Sequence, residues 1–470
     1  MTSEGSRSFA ARPRESLFHA ATTSLCDDCL ASVPAKVMLR GGRVYLHKHC
    51  LAHGFREDLL EEDAGWYLSR LQFDKPGTPT APETSVCLGC PRDCGLCPDH
   101  DQHTCIGLIE ITRACNLRCP ACYASSSADD GRHLPLADAV ARMDALVAAE
   151  GGEAQILQVS GGEPTLHPRV LDILAAALDR PIRWVMLNTN GIRIAEDPRF
   201  ADALGALEGR FEVYLQFDGL DGRAERELRG RDLHETKLRA LDALAEREVP
   251  VTLVMTAREG VNDGDIGRVV SFGIGRQGVR GVNIQPEAYF GRNGHRPSRD
   301  RLTLSGVLRR IEDQSAGMLK RGDFVPLPCD VDRVAIAYLV RRDGAFVPAT
   351  RQEAIKRHLP LIENTLMFDT SDVLRKTAEA LGRGQWCNCL SFLRDFLPLA
   401  PASLVFKSPE GQAEFVTNNT FRITVTSFLD RFNFEARAMK KECVHVITAG
   451  GKRVPFSAWN ILHRSGEVPS

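Results

Sequence analysis

Between residues 105 and 300, short runs of aliphatic and β-branched residues alternate with longer stretches whose apolar positions recur every three or four residues. The short runs predict strands at Gly107–Thr112, Gln155–Ser160, Trp184–Asn188, Glu212–Phe217, Val251–Met255 and Gly281–Gln285. The longer ones predict helices at Leu134–Ala149, Arg169–Leu178, Leu233–Arg247 and Asp265–Gly273. Strands that alternate with helices build a parallel sheet, so the fold class is α/β. Six repeats fit a partial (β/α)6 barrel better than a closed barrel of eight.

The flanking regions read differently. Residues 1–20 are polar and rich in Ala, Ser and Arg, and are expected to be loose. Residues 21–104 hold seven cysteines at short spacings, with little room for a hydrophobic core, so metal is expected to replace one. Residues 301–470 are mixed and are read as a C-terminal α+β extension that carries substrate contacts and four further cysteines.

Composition adds three constraints. The 470-residue chain has a formal net charge of −2, which offers no broad basic face for nucleic acid. No window approaches the ~18 unbroken apolar residues of a membrane span, and Met1–Leu17 has no apolar signal core. Fifteen cysteines, mostly clustered, point to metal in a reducing compartment rather than to disulfides, which implies the cytoplasm.

The central cluster is Cys115-Asn-Leu-Arg-Cys119-Pro-Ala-Cys122-Tyr123, directly after the first predicted strand. Three thiolates on one short loop can hold three irons of a [4Fe–4S] cluster and leave the fourth iron open. A structural zinc knot would want a fourth protein ligand nearby, and none is present. Ser160-Gly161-Gly162-Glu163-Pro164 ends the second predicted strand, where ligands of parallel α/β sheets collect.

Together these motifs resemble the radical S-adenosylmethionine (radical SAM) superfamily. The resemblance implies that Cys115, Cys119 and Cys122 hold the reactive cluster. It also implies that Gly161, Gly162 and Glu163, with Pro164 behind them, contact the methionine end of S-adenosylmethionine. Asn188, Asn190 and Asp218, after the third and fourth strands, are read as facing cofactor or substrate, or as polar turn residues.

Upstream, Cys26-Asp-Asp-Cys29 and Cys50-Leu-Ala-His53 read as one tetrahedral Cys3His site for zinc or a single iron, with His47 and His49 as rivals to His53. Cys90, Cys94 and Cys97 repeat the central spacing, with Cys87 as fourth ligand, and read as an auxiliary [4Fe–4S] cluster. The alternative is a zinc knot using His100 or His103. Cys329, Cys387, Cys389 and Cys443 can complete a second auxiliary cluster or be buried thiols, and the sequence leaves both open.

From Cys26 to Tyr123 and beyond, the chain is similar to a narrower group that contains tetraether lipid synthase and pterin-type methyltransferase relatives. That likeness implies radical chemistry forming a C–C or C–S bond on a lipid or other metabolite. It leaves open transfer of a methyl or 3-amino-3-carboxypropyl group to a pterin, or to a soft heteroatom such as sulfur or arsenic. An electron donor such as flavodoxin or ferredoxin is implied as partner. Arg229, Arg231, Asp232, Arg292 and His445 are candidates for anchoring a polar substrate head, each with a salt-bridged surface residue as its alternative.

Overall fold

The computed structural model describes residues 15–207, 209–297, 301–342, 344–351, 364 and 419–464. Its first unit is a four-stranded antiparallel sheet: β1 (Leu17–Leu25), β2 (Ser32–Arg40), β3 (Arg43–Cys50) and β4 (Gly54–Glu61), paired in chain order. Side chains alternate across a strand, so β2 buries Val33, Ala35 and Val37 while β3 buries Val44 and Leu46. With Leu60 and Tyr67 these close a small core. That corrects the expectation of a coreless metal module. Its apolar residues are spread at every second position, so no single window reads as hydrophobic. Ordered structure also begins at Leu17, inside the segment expected to be loose.

The six predicted strands are all present: β5 (Ile106–Glu110), β6 (Ala154–Ser160), β7 (Ile182–Thr189), β8 (Phe211–Gln216), β9 (Val251–Ala257) and β10 (Val279–Pro286). They are parallel and lie side by side in that order. The predicted helices appear at Leu136–Ala149, Val170–Leu178, His234–Ala245 and Ile266–Gly275. Their apolar faces (Met143, Leu174, Leu241, Val270) pack on the outward side chains of the strands in one continuous core.

The barrel does not stop at six strands. The C-terminal region supplies β11 (Val325–Pro326), β12 (Val334–Arg342), β13 (Ala345–Pro348), β14 (Thr420–Thr426), β15 (Val444–Ile447) and β16 (Arg453–Pro455). β14 pairs parallel to β10, and β15 pairs parallel to β5. The parallel run is therefore β15-β5-β6-β7-β8-β9-β10-β14, with β12 and β16 flanking it antiparallel. Thr-Phe-Arg-Ile-Thr-Val-Thr of β14 alternates clearly, yet it stands outside the strand–helix rhythm, so the repeat count missed it. Among the described residues, no helix is long and apolar enough to cross a membrane.

Candidate active site and metal centres

Parallel strands present their C-terminal ends to one face, and that face holds a cavity of about 210 Å³. Cys115, Cys119 and Cys122 line it, on the loop that leaves β5. Cys115 and Cys119 are buried among Leu117, Ile192 and Leu233. Burial pushes the Cys115 thiol up to about 12. Burial raises Cys119 as well, while the neighbouring Arg229 guanidinium pulls it down. Both thiols deprotonate readily only when a metal takes the charge.

Two glycines set the distance between this loop and the turn after β6. A Cβ on Gly161, at φ +145°, would lie 2.4 Å from the Thr112 carbonyl oxygen, and one on Gly162 would lie 2.2 Å from that of Ala114. The backbone N–H groups of Gly162 and Glu163 donate to those same carbonyls at 2.8 Å. Pro164 is buried and opens the short helical turn that follows. The Glu163 carboxylate accepts from the Thr165 N–H and hydroxyl, the Thr189 hydroxyl and the Asn190 N–H. Its role in this structure is to lock two strand-end turns together beside the cysteine loop. On the far side, Gly291 at φ +62° lets the chain after β10 touch the Tyr123 carbonyl. A cluster held by the three thiols fits this site, because all three cysteines line one cavity and burial leaves Cys115 and Cys119 dependent on a metal to carry their charge.

The remaining wall is polar but nearly neutral. Gln158 and Ser160 from β6, Asn188 from β7, Tyr214 and Gln216 from β8, Thr256 from β9 and Gln285 from β10 line it. Phe290, Phe428 and Phe456 form an aromatic side. The Asn188 Oδ1 is buried without a hydrogen-bond partner, while its amide nitrogen is 3.4 Å from Ser160 Oγ. Charges at the rim are paired: Arg229 with Asp218 at 2.7 and 2.9 Å, and Glu287 with Arg258. Asp218 also accepts from the Thr256 N–H at 2.9 Å, and Asn190 bonds Asn116 of the cysteine loop at 2.7 Å.

The five residues read as substrate anchors fall elsewhere or are already engaged. Arg229 is buried against Asp218 beside Cys119. Arg292 donates to the Cys119 carbonyl at 2.6 Å and also to that of Ser126, so it braces the cysteine loop. Arg231 is exposed, as is Asp232, which pairs with Arg226. His445 is fully buried on β15, bonded to Thr104 and the Glu442 carbonyl. The neutral lining residues Gln158, Tyr214 and Gln285 were missed, as was Tyr123, whose hydroxyl is 3.3 Å from Ser160 Oγ. Their signal was a polar residue at every second position toward the ends of otherwise apolar strands.

In the N-terminal four-stranded unit, Cys26, Cys29, Cys50 and His53 converge. Cys29 and Cys50 sulfurs stand 3.9 Å apart, and His53 Nδ1 lies 3.4 and 3.5 Å from Cys26 and Cys50. These are close to the ~3.8 Å edge of a tetrahedral zinc–thiolate centre. Of the rivals, His47 bonds Glu57 and His49 is exposed. Cys90, Cys94 and Cys97 line a second hollow with Met439 and Lys440, and burial pushes Cys90 up to about 12. Cys87 is exposed and outside that lining, although Asp93 holds its loop by accepting from the N–H groups of Cys87, Leu88 and Gly89. His100 also lines this hollow, but its Nε2 meets the Glu442 carbonyl at 3.0 Å; His103 pairs with Glu150. Cys329 and Cys443 are brought together, joined by Cys105. Cys387 and Cys389 lie outside the described residues.

The radical SAM superfamily model matches residues 109–273, and the model of the HMPTM N-terminal zinc ribbon domain matches residues 18–62. The 7,8-dihydro-6-hydroxymethylpterin dimethyltransferase of Methanocaldococcus jannaschii is 28% identical, over 94% of this chain and 94% of its own. GTP 3′,8-cyclase of Chlorobaculum tepidum is 32% identical over 34% of this chain and 46% of its own length. Among solved structures, Streptococcus suis SuiB bound to its precursor peptide SuiA matches 46% of each chain at 17% identity and a TM-score of 0.39.

Proposed function

This chain is a radical SAM enzyme with an N-terminal zinc ribbon, and we propose that it transfers a methyl group to a reduced pterin-type heterocycle. The observation that carries the reading is the pterin dimethyltransferase likeness, which runs through ribbon, barrel and C-terminal strands alike. A [4Fe–4S] cluster held by Cys115, Cys119 and Cys122 supplies, when bound, the electron for reductive cleavage of S-adenosylmethionine.

The chain's own residues do the positioning. Asp218 keeps the Arg229 guanidinium beside Cys119, where its charge favours the thiolate. Glu163 fixes the turn that faces the cysteine loop. Phe290, Phe428 and Phe456 give a planar ring an apolar face and keep water from it. Gln158, Asn188, Tyr214 and Gln285 offer donors and acceptors of the kind that pair with the amide-like edge of a pterin. The orphaned Asn188 Oδ1 is an acceptor waiting for a ligand N–H.

The same wall disfavours a lipid acceptor. An alkyl chain would leave these amides desolvated and unpaired, at roughly 1–3 kcal/mol each. A soft heteroatom acceptor gains nothing from them either.

The test is anaerobic turnover of the iron- and sulfide-reconstituted enzyme with reductant, methyl-deuterated S-adenosylmethionine and 6-hydroxymethyl-7,8-dihydropterin. Mass spectrometry should find the deuterated methyl group on the pterin. Methylthioadenosine together with an aminocarboxypropylated acceptor would replace this reading with the other group transfer. Cofactor cleavage that never labels the pterin would remove the pterin from it.

A further inference from the structure

Asn188 and Tyr214 stand opposite one another on the neighbouring parallel strands β7 and β8, and both line the central cavity. Neighbouring strands lie about 4.8 Å apart, so these two side chains serve the same part of the wall. The Asn188 amide nitrogen is spent on the β6 side, 3.4 Å from Ser160 Oγ and 3.5 Å from Gln158 Oε1. That turns its Oδ1 away from β6. This oxygen is buried and has no hydrogen-bond partner among the described residues. An amide oxygen only accepts, so what it lacks is a donor.

Tyr214 is its complement. The phenol oxygen accepts from the Asn283 amide nitrogen and from Gln285 Nε2, the latter at 3.4 Å. The direction of the Asn283 amide is set from β14, because its Oδ1 accepts from the Thr426 hydroxyl at 3.2 Å. With donors facing the phenol oxygen from two sides, its own hydrogen is what Tyr214 has left to give. Burial pushes the Tyr214 hydroxyl up to about 12, so that hydrogen stays in place at neutral pH.

An acceptor beside a donor is the complement of a ring amide, which carries N–H and C=O on adjacent atoms. We propose that Asn188 and Tyr214 are the specificity pair for the substrate ring: Asn188 Oδ1 accepts from a lactam N–H, and the Tyr214 hydroxyl donates to the adjoining C=O. The proposal rests on the pterin reading of this cavity and adds which edge of the ring is read, and by which side chains. A 4-amino ring reverses both positions. Its bare ring nitrogen would face the Asn188 oxygen, and its amino group would face the Tyr214 O–H. Each residue would then meet its own kind. A site built to hydrogen-bond a substrate rejects the analogue that cannot answer, far more strongly than an apolar pocket rejects a change of size.

The test is equilibrium binding by calorimetry to the anaerobically reconstituted full-length enzyme, with S-adenosylmethionine present and no reductant, so that nothing turns over. Two ligands are compared: 6-hydroxymethyl-7,8-dihydropterin and its 2,4-diamino counterpart, which differ at position 4. The oxo ligand should bind roughly a hundredfold or more tighter. Tyr214→Phe and Asn188→Leu should each narrow that preference by roughly tenfold, chiefly by weakening the oxo ligand. Iron content and melting curves confirm that the variants are folded, and the wild-type comparison needs no variant. Equal binding of the two ligands by the wild type would overturn the lactam pair and leave the pterin reading standing. A wild-type preference that neither variant alters would also overturn it, since other groups would then read the ring. Binding of neither ligand would remove the pterin reading, and the pair with it.

Discussion

Gly162 shows how much of the active site is decided by an absent side chain. Its missing Cβ would stand 2.2 Å from the Ala114 carbonyl, one residue before Cys115. Gly162→Ala must push the root of that loop away. The cost is expected to be on the order of 1–3 kcal/mol, as for other forced overpacking. Felt in full at the transition state, that cost lowers cofactor cleavage by roughly five- to 150-fold, since about 1.4 kcal/mol is a factor of ten. Gly264→Ala is the matched control, with nothing within 4 Å of its added carbon, and should cleave at the wild-type rate. Product quantification under reducing conditions, with melting curves for both variants, checks the pair. At this scale the sequence was most readable. Cysteine spacing and a Gly-Gly-Glu-Pro turn are local signals, so the cysteine loop and the turn that packs against it could both be picked out from them. Cys105 was not legible in the same way, because a lone cysteine before a strand acquires partners only when β15 and Cys329 are folded against it.

At the level of elements, the loops between strands are tied by buried charge. The Asp430 carboxylate, after β14, accepts from Arg301 at 2.5 and 3.2 Å and from the Tyr289 N–H at 2.9 Å. It thus joins three segments: the turn after β14, the chain after β10 and the entry to the helix Leu304–Gln314. Burial alone would raise this carboxyl, but Arg301 and the N–H donors hold it below its ordinary 3.8. Stability from the pair is therefore present above about pH 4 and lost as the pH falls through the lower, folded value. Arg301→Met leaves a buried charge unpaired and should cost about 3–5 kcal/mol at neutral pH. The gap in melting temperature between wild type and variant should narrow as the pH drops from 4 through the lowered folded value of Asp430, below which both carry a neutral carboxyl. A gap independent of pH would mean the contribution is packing alone. The six central strands and four helices were legible within a residue or two because each carries its own period. The added strands β14 and β15 were not, because their place in the sheet depends on edges that only the assembled barrel presents.

Across the whole molecule, the N-terminal ribbon touches the C-terminal part of the chain, and that same part completes both edges of the parallel sheet. Lys48 of β3 reaches the carbonyls of Arg431 and Phe432 at 3.0 Å, beyond β14, so the ribbon is bolted to the last part of the chain. The parallel sheet itself takes both outer strands from residues after 419. A ribosome releases the chain in the other order. At ~5–20 residues per second, the edge of β5 waits on the order of tens of seconds for β15, and β10 waits through a large part of that time for β14. During that interval two rows of backbone donors and acceptors stand open, as they would on any unpaired sheet edge. A fragment ending at residue 351 freezes that nascent state and should partition into aggregates under conditions where the complete chain stays in solution, which sedimentation of the two side by side would measure. The topology thus makes production of this enzyme a matter of timing. Slower translation lengthens the window of vulnerability, and a chaperone that shields strand edges should raise the yield more than one that shields apolar helix faces.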